Sequence, residues 1–329
     1  MTITVGALGA GRMGRGIALH FALTGHRAIL VDLKARSAAE FAAYVEDIRA
    51  ELLADLKFLS SRDLLPGLDV EHLLEAITIV QREPSKTLLA ECDVVFEGVP
   101  EIMEAKAEAF EFASTHTSEH TLLASTSSTF AVGDLAAMVT HPERFMNAHW
   151  LNPAHLLPLV EIARGKDTAE EALEQMKALL EAVGKIPVVC NDRPGYIIPR
   201  LQCLIMNEAA RMVEEGVASA EEIDKAVLTG FGPRYASLGV LEFIDWGGGD
   251  ITYYASNYMK EKIHPRFEAA EIIEKNMKSQ RRGLRDGVGF FDYRDRDVGK
   301  YREQKLTEFI ELLSLRGLLP DWHGDKTDT

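Results

Sequence analysis

The chain has 329 residues, of which 47% are hydrophobic and 26% charged, and its formal net charge is -15. This length admits two domains, and the composition is ordinary for a soluble globular protein of enzyme size. The acidic balance argues against a nucleic-acid surface or an anionic membrane as partner, although a local basic pocket can still hold an anionic small substrate.

The first half alternates short apolar runs with helical patterns. Strands are predicted over residues 3–8, 28–31, 76–80, 94–96, 121–125, 145–150, 157–162 and 187–190, with helices over 12–24, 101–114 and 168–183. Such alternation means βαβ units and a mostly parallel sheet. The stretch 38–65 is long, charged and helical, and suits either an elaborated crossover or an excursion over a substrate cleft. After Asn191-Asp192-Arg193-Pro194-Gly195 the strand signals fade. Helical patterns cover 196–216 and 219–229, a glycine-rich passage follows at 230–249, and further helix includes 301–315. The expectation is an α/β domain over 1–190 and a helical domain over 191–329. Cys92, Cys190 and Cys203 are scattered and fit no metal-ligand or redox spacing, which suits a reducing compartment. No basic leader and no apolar run long enough for a bilayer is present, so a cytoplasmic location is expected.

Gly9-Ala10-Gly11-Arg12-Met13-Gly14 has the dinucleotide-binding spacing, with a predicted strand before it and a helix after it. The glycines permit a tight turn and close approach of a pyrophosphate to the helix N-terminus. Asp32 ends the second strand, where a carboxylate accepts from ribose hydroxyls and repels a 2′-phosphate. NAD is therefore favoured over NADP, a preference that the nearby Lys34 and Arg36 weaken. A glycine-rich turn without a nucleotide is the plainer alternative.

Between Phe145 and Ile162 two short apolar runs flank the turn signal Asn152-Pro153. If the runs pair around that turn, His149 and Glu161 face each other. A carboxylate behind a histidine fixes its tautomer and stabilises the imidazolium, as a general base requires. Taken alone, the pattern is better read as a half-buried histidine and an unrelated edge-strand glutamate.

Taken together, several segments resemble the L-3-hydroxyacyl-CoA dehydrogenase family. They are the glycine loop continued through Ala18, Glu97-Gly98-Val99-Pro100-Glu101 with Lys106, Ala124-Ser125-Thr126-Ser127-Ser128, and the His149 to Glu161 stretch. In the second half they are Asp192-Arg193-Pro194-Gly195-Tyr196, Asn207-Glu208-Ala209 and Gly287-Val288-Gly289-Phe290-Phe291-Asp292-Tyr293. The resemblance implies a Rossmann-like NAD-binding domain followed by an all-α domain like the C-terminal domain of 6-phosphogluconate dehydrogenase, which makes a homodimer. It implies NAD-linked interconversion of a secondary alcohol and a ketone, with no metal. His149 would be the general base, Glu161 its orienting partner, and Ser127 a hydrogen-bonding partner of the reacting oxygen. Gly9, Gly11, Arg12, Met13, Gly14, Asp32, Glu101 and Lys106 would hold the cofactor. The residues themselves also allow Ser127 as a helix cap and Lys106 as part of a solvated face.

Two departures stand out. Pro199 replaces the family's asparagine after the Pro-Gly pair, removing a side-chain amide, and Ser125 replaces another asparagine at the serine-rich strand end. Gly232-Pro233-Arg234-Tyr235 replaces the Pro-Met-Gly-Pro run of the acyl-CoA branch and looks like the gulonate and carnitine dehydrogenase branches. Arg234 would then grip the carboxylate of a free hydroxy acid, unless it is merely a surface arginine. Asn152, beside His149, is the other substrate candidate. A short-chain 3-hydroxyacyl-CoA is the leading substrate, a free hydroxy acid the alternative, and a weakly active crystallin-like NAD-binding protein the third reading.

Overall fold

The computed structural model describes residues 2–320. The chain divides into two compact units, Met1–Met206 and Asn207–Thr329. In the first, β1 (Thr4–Leu8), α1 (Arg12–Leu23), β2 (Arg27–Asp32), α2 (Ala38–Ser60), α3 (Val70–Glu75), β3 (Ile77–Gln81), α4 (Arg82–Leu88), β4 (Val94–Glu97), α5 (Met103–His116) and β5 (Leu122–Ser125) follow in order. After these come α6 (Val132–Ala136), β6 (Phe145–Trp150), β7 (Leu159–Arg164), α7 (Glu170–Ala182), β8 (Ile186–Asn191) and α8 (Ile198–Glu214). The last of these continues into the second unit.

The eight strands form one sheet in the order β3-β2-β1-β4-β5-β6-β7-β8. All neighbours are parallel except β6 and β7. Central strands β1, β4 and β5 are buried along their whole length, as strands covered on both faces must be. One apolar cluster, with Phe21, Phe96, Trp150 and Met176, packs one side, and a second, with Phe110, Phe145 and Leu123, packs the other. The strand order reverses between β1 and β4, and in such sheets the crevice beyond the carboxyl ends at this point is where ligands bind. Leu8, Asp32, Glu97 and Ser125 end β1, β2, β4 and β5 there.

The 38–65 stretch forms much of the crossover from β2 to β3. Ser37 and Glu40 make a reciprocal capping box at the start of α2, and Ile48, Leu52 and Leu56 join the first cluster. Strand β7 starts two residues later than expected, at Leu159, because Asn152 to Pro158 are used in the connection, which has a cis peptide at Asn152-Pro153.

In the second unit, α9 (Ala220–Ala226), α10 (Gly232–Ser237), α11 (Val240–Gly247), α12 (Gly249–Lys262), α13 (Glu271–Lys278) and α14 (Val298–Leu315) follow. The glycine-rich passage 230–249 is largely helical. Its glycines sit at helix ends: Gly239 caps α11, and Gly248, at φ 98°, separates α11 from α12. Asp245 organises the Gly287–Tyr293 segment, since its carboxylate accepts from the backbone N–H groups of Phe290 and Phe291 and from the Tyr293 hydroxyl.

Candidate active site

The glycine loop turns from β1 into α1. Gly9 has φ 102°, where a side chain is strained, and an added Cβ would lie 2.9 Å from the Gly98 carbonyl oxygen. A Cβ at Gly14 would come within 2.1 Å of the Gly9 carbonyl oxygen, so this glycine lets helix and strand approach. Nothing lies within 4 Å of the Cβ position at Gly11, which caps α1 with no side-chain partner for the helix N–H groups. The loop therefore needs Gly9 and Gly14 for its own shape, whereas Gly11 leaves open space before helix N–H groups that its side chain does not cap. That cradle fits a pyrophosphate. Arg12 starts α1 and Met13 packs partly against the first apolar cluster.

A groove of about 480 Å³ runs from Gly9 and Gly11 past Asp32, Lys34 and Tyr44 to Val99, Pro100 and Ala109. Asp32 is buried at its edge, and Oδ2 accepts from Arg36 Nε at 2.6 Å. A carboxylate at the end of β2 fits the ribose position of a dinucleotide.

Across the switch point a network joins β4, α5 and β5. Lys106 is fully buried, not part of a solvated face. Its Nζ donates to both Glu97 oxygens at 3.0 Å and lies 2.8 Å from Glu101 Oε2. Glu97 also accepts from Val99 N at 2.8 Å and Ser125 Oγ at 2.7 Å. Burial pushes the Glu97 carboxyl above its usual range against these bonds. Partial burial would do the same to Glu101, but the bonds from Lys106 and Ser127 outweigh it and hold Glu101 below that range. The sequence pointed to Glu101 and Lys106; Glu97, which holds Lys106, was visible only as a motif letter, and Ser125, which holds Glu97, only as a replacement of the family's asparagine.

Ser127 donates its hydroxyl proton to Glu101 Oε1 at 2.6 Å and accepts from Phe130 N at 3.0 Å and Thr129 N at 3.3 Å. It thus caps the turn after β5, and its hydroxyl proton is taken by Glu101. Asn147 Nδ2 donates to the Ser127 carbonyl at 3.1 Å.

His149 and Glu161 are direct partners in the β6–β7 register, both buried, with His149 Nδ1 2.8 Å from Glu161 Oε2. The other carboxylate oxygen accepts from Ile197 N at 3.0 Å and Ile198 N at 2.9 Å, at the start of α8. Three N–H donors surround the carboxylate, so it acts as an acceptor and Nε2 is the imidazole atom left to exchange a proton. Pro199 lies in the first turn of α8, where its missing N–H costs nothing. Tyr196 stacks near His149 at 6.2 Å between ring centroids, and its hydroxyl donates to the Phe130 carbonyl.

Asn152 and Arg12 line a cavity of about 720 Å³ with Glu51, Asp55, Phe58 and His155. Arg234 belongs to the second unit, where its guanidinium lies 5.6 Å over the Phe243 ring and borders a cavity of about 150 Å³ with Trp246 and Lys305. Among the described residues no cluster of histidine, cysteine or carboxylate side chains could hold a metal ion, and no helix is long and apolar enough to cross a membrane.

Residues 4–193 match the family model of the 3-hydroxyacyl-CoA dehydrogenase NAD binding domain, and residues 195–293 match that of the 3-hydroxyacyl-CoA dehydrogenase C-terminal domain. The chain belongs to the 3-hydroxyacyl-CoA dehydrogenase family. It is an NAD-dependent oxidoreductase of that family, acting on CH–OH groups. A probable 3-hydroxybutyryl-CoA dehydrogenase of Bacillus subtilis is 30% identical over 88% of this chain and 96% of the relative. The 5-formyl-3-hydroxy-2-methylpyridine 4-carboxylate 5-dehydrogenase of Mesorhizobium japonicum is 28% identical over 89% of this chain and 91% of that one. A crystal structure of a 3-hydroxyacyl-CoA dehydrogenase from Archaeoglobus fulgidus superposes with a TM-score of 0.73 at 29% identity, covering 96% of this chain and all of that one.

Proposed function

We propose that this 3-hydroxyacyl-CoA dehydrogenase interconverts a short-chain 3-hydroxyacyl-CoA, such as 3-hydroxybutyryl-CoA, and its 3-oxo thioester. The observation that carries this reading is the buried His149–Glu161 pair, anchored on the N-terminus of α8. Similarity to the probable 3-hydroxybutyryl-CoA dehydrogenase of Bacillus subtilis supports the short acyl chain.

In this reading Gly9, Gly11, Arg12, Met13 and Gly14 hold the pyrophosphate side of NAD and Asp32 the adenosine ribose, while Glu101 faces the nicotinamide side and Lys106, fully buried, acts only by holding Glu101 in place. Bound there, NAD(H) would supply the hydride acceptor for oxidation of the carbinol and the hydride donor for the reverse reaction. His149 takes the hydroxyl proton on Nε2 as that hydride leaves, and Glu161 stabilises the imidazolium. In the reverse direction His149 gives the proton back to the forming alkoxide. Ser127 orders Glu101 and the turn facing the reacting oxygen. A test is acetoacetyl-CoA-dependent oxidation of NADH by the wild type and His149→Ala. The variant should bind NAD normally and lose about 10²–10⁴-fold in kcat; unchanged turnover sinks the assignment.

A second reading keeps the chemistry and replaces the thioester with a free hydroxy acid held by Arg234. It is favoured by an Arg234 guanidinium that makes no hydrogen bond or ion pair among the described residues, and by the relative whose name is that of a pyridine carboxylate dehydrogenase. No rate with acetoacetyl-CoA, together with NAD reduction by a free 3-hydroxy acid, would select it. In either case, exposed apolar side chains of the second unit such as Leu228, Phe231, Leu241, Ile251 and Tyr254 support a homodimer. Sedimentation of a monomer at micromolar concentration counts against that.

A further inference from the structure

The adenosine end of the groove is not a bare carboxylate. Asp32 Oδ2 is engaged by Arg36 Nε at 2.6 Å, and Oδ1 accepts from Lys34 N at 3.3 Å. The Arg36 guanidinium stacks on the Tyr44 ring with Cζ 3.9 Å from the centroid. Tyr44 is itself fixed, since its hydroxyl donates to the Ala10 carbonyl at 2.9 Å and accepts from Arg15 Nη2 at 3.2 Å. The backbone of Arg36 is tied down by Gln81, whose side-chain amide donates to the Arg36 carbonyl at 3.0 Å. Arg36 is thus held by an ion pair, a ring face and a backbone bond.

Two features of this arrangement bear on the 2′ position of a bound nucleotide. With Nε on Asp32, both terminal nitrogens of Arg36 remain without hydrogen-bond partners among the described residues. Lys34 lines the same groove, exposed, with no ion pair among those residues. Asp32 and Glu40, both of which interact with Arg36, contribute one negative charge each, and Lys34 and Arg36 one positive charge each, so the carboxylates are balanced and the two cations remain the groups with free donors. A carboxylate alone repels a 2′-phosphate; a carboxylate neutralised by a stacked arginine, with a lysine beside it, does not. We propose that Lys34 and Arg36, the latter stacked on Tyr44, form a 2′-phosphate-accepting pocket, so that the chain binds NADP(H) as well as NAD(H). This rests on the groove being the cofactor site.

Isothermal titration of the full chain with 5′-AMP and 2′,5′-ADP isolates the 2′-phosphate, without reference to turnover. In the wild type 2′,5′-ADP should bind within about tenfold of 5′-AMP. Arg36→Ala should weaken 2′,5′-ADP by about tenfold or more and change 5′-AMP by less than about threefold. Lys34→Ala, which alters an exposed side chain and leaves the Tyr44 stack intact, should act in the same direction. Added KCl should weaken 2′,5′-ADP more than 5′-AMP. Binding of 5′-AMP with 2′,5′-ADP more than about a hundredfold weaker overturns the pocket but leaves the NAD groove standing. Equal weakening of both ligands in Arg36→Ala and Lys34→Ala also overturns it, and failure of both nucleotides to bind the wild type overturns pocket and groove together.

Discussion

His149 and Glu161 stand directly opposite each other in the antiparallel β6–β7 pair, and the carboxylate that meets His149 Nδ1 through one oxygen holds the first amides of α8 through the other. The carboxylate therefore fixes the imidazole tautomer and the start of α8 at once. Glu161→Gln separates these tasks. The amide oxygen must face the Ile197 and Ile198 N–H groups, which can only donate, so the amide NH₂ faces Nδ1 and forces the proton onto Nε2. A histidine protonated at Nε2 cannot take the substrate proton. We expect kcat to fall by about 10²–10⁴-fold while NAD affinity stays within about threefold. Steady-state kinetics beside NAD titration measure both, and a variant with near-normal kcat refutes the role.

Ser127 and Glu101 are expected to act as one unit. The Ser127 proton is committed to Glu101, and Glu101 is held by Lys106, itself buried against Glu97. Ser127→Ala and Glu101→Gln should each lower kcat/KM by about tenfold or more, as loss of a bond to a charged group does. The double variant should be little worse than the poorer single one. A double-mutant cycle on kcat/KM reads the coupling directly; strictly additive losses would mean two independent roles.

What could be read in advance was local. The glycine spacing, Asp32 at a strand end and the turn between two apolar runs each lie within a short window, and periodicity fixes which way such windows face. The unread parts depend on register between distant segments. Nothing near Glu161 in sequence announces that Ile197 and Ile198 will donate to it. Nothing near Lys106 announces its burial between two glutamates, because a charged residue early in a helix is ordinarily solvated. The glycines of 230–249 gave no helix bounds, yet Gly239 and Gly248 serve as helix ends, and the Phe290 and Phe291 amides that donate to Asp245 come from a distant segment.

Stability at acid pH should depend on His20, which is buried with Nε2 2.8 Å from the Val183 carbonyl oxygen. Burial, reinforced by the charge of Lys185, pushes its pKa down to about 4 from 6.5. Between these values the unfolded chain binds the proton and the folded chain does not. The contribution is thus fully present above pH 6.5 and is lost as pH falls through 4, by on the order of 3 kcal/mol. His20→Gln keeps an N–H for the carbonyl without titrating, so its stability should fall less over that window. Urea midpoints taken from pH 7 down to 4 make the comparison, and parallel curves for the two proteins would remove His20 from the acid limb.

Gly11 and Gly14 should separate folding from nucleotide binding. A Cβ at Gly14 meets the Gly9 carbonyl oxygen at 2.1 Å, a contact that backbone cannot relieve without moving the loop, whereas a Cβ at Gly11 meets nothing within 4 Å. Gly14→Ala should therefore destabilise the protein as well as its NAD site. Gly11→Ala should leave the thermal midpoint within about 2 °C of wild type, because surface substitutions away from packed features stay within about 0.5 kcal/mol. Its methyl group occupies the space through which a pyrophosphate approaches the α1 N–H groups, so NAD should bind at least about tenfold more weakly. Thermal denaturation and NAD titration of the two variants decide the matter. A Gly11→Ala protein with unaltered NAD affinity would show that the open space at Gly11 has no part in holding the cofactor, and the glycine would be left with only the turn to explain it.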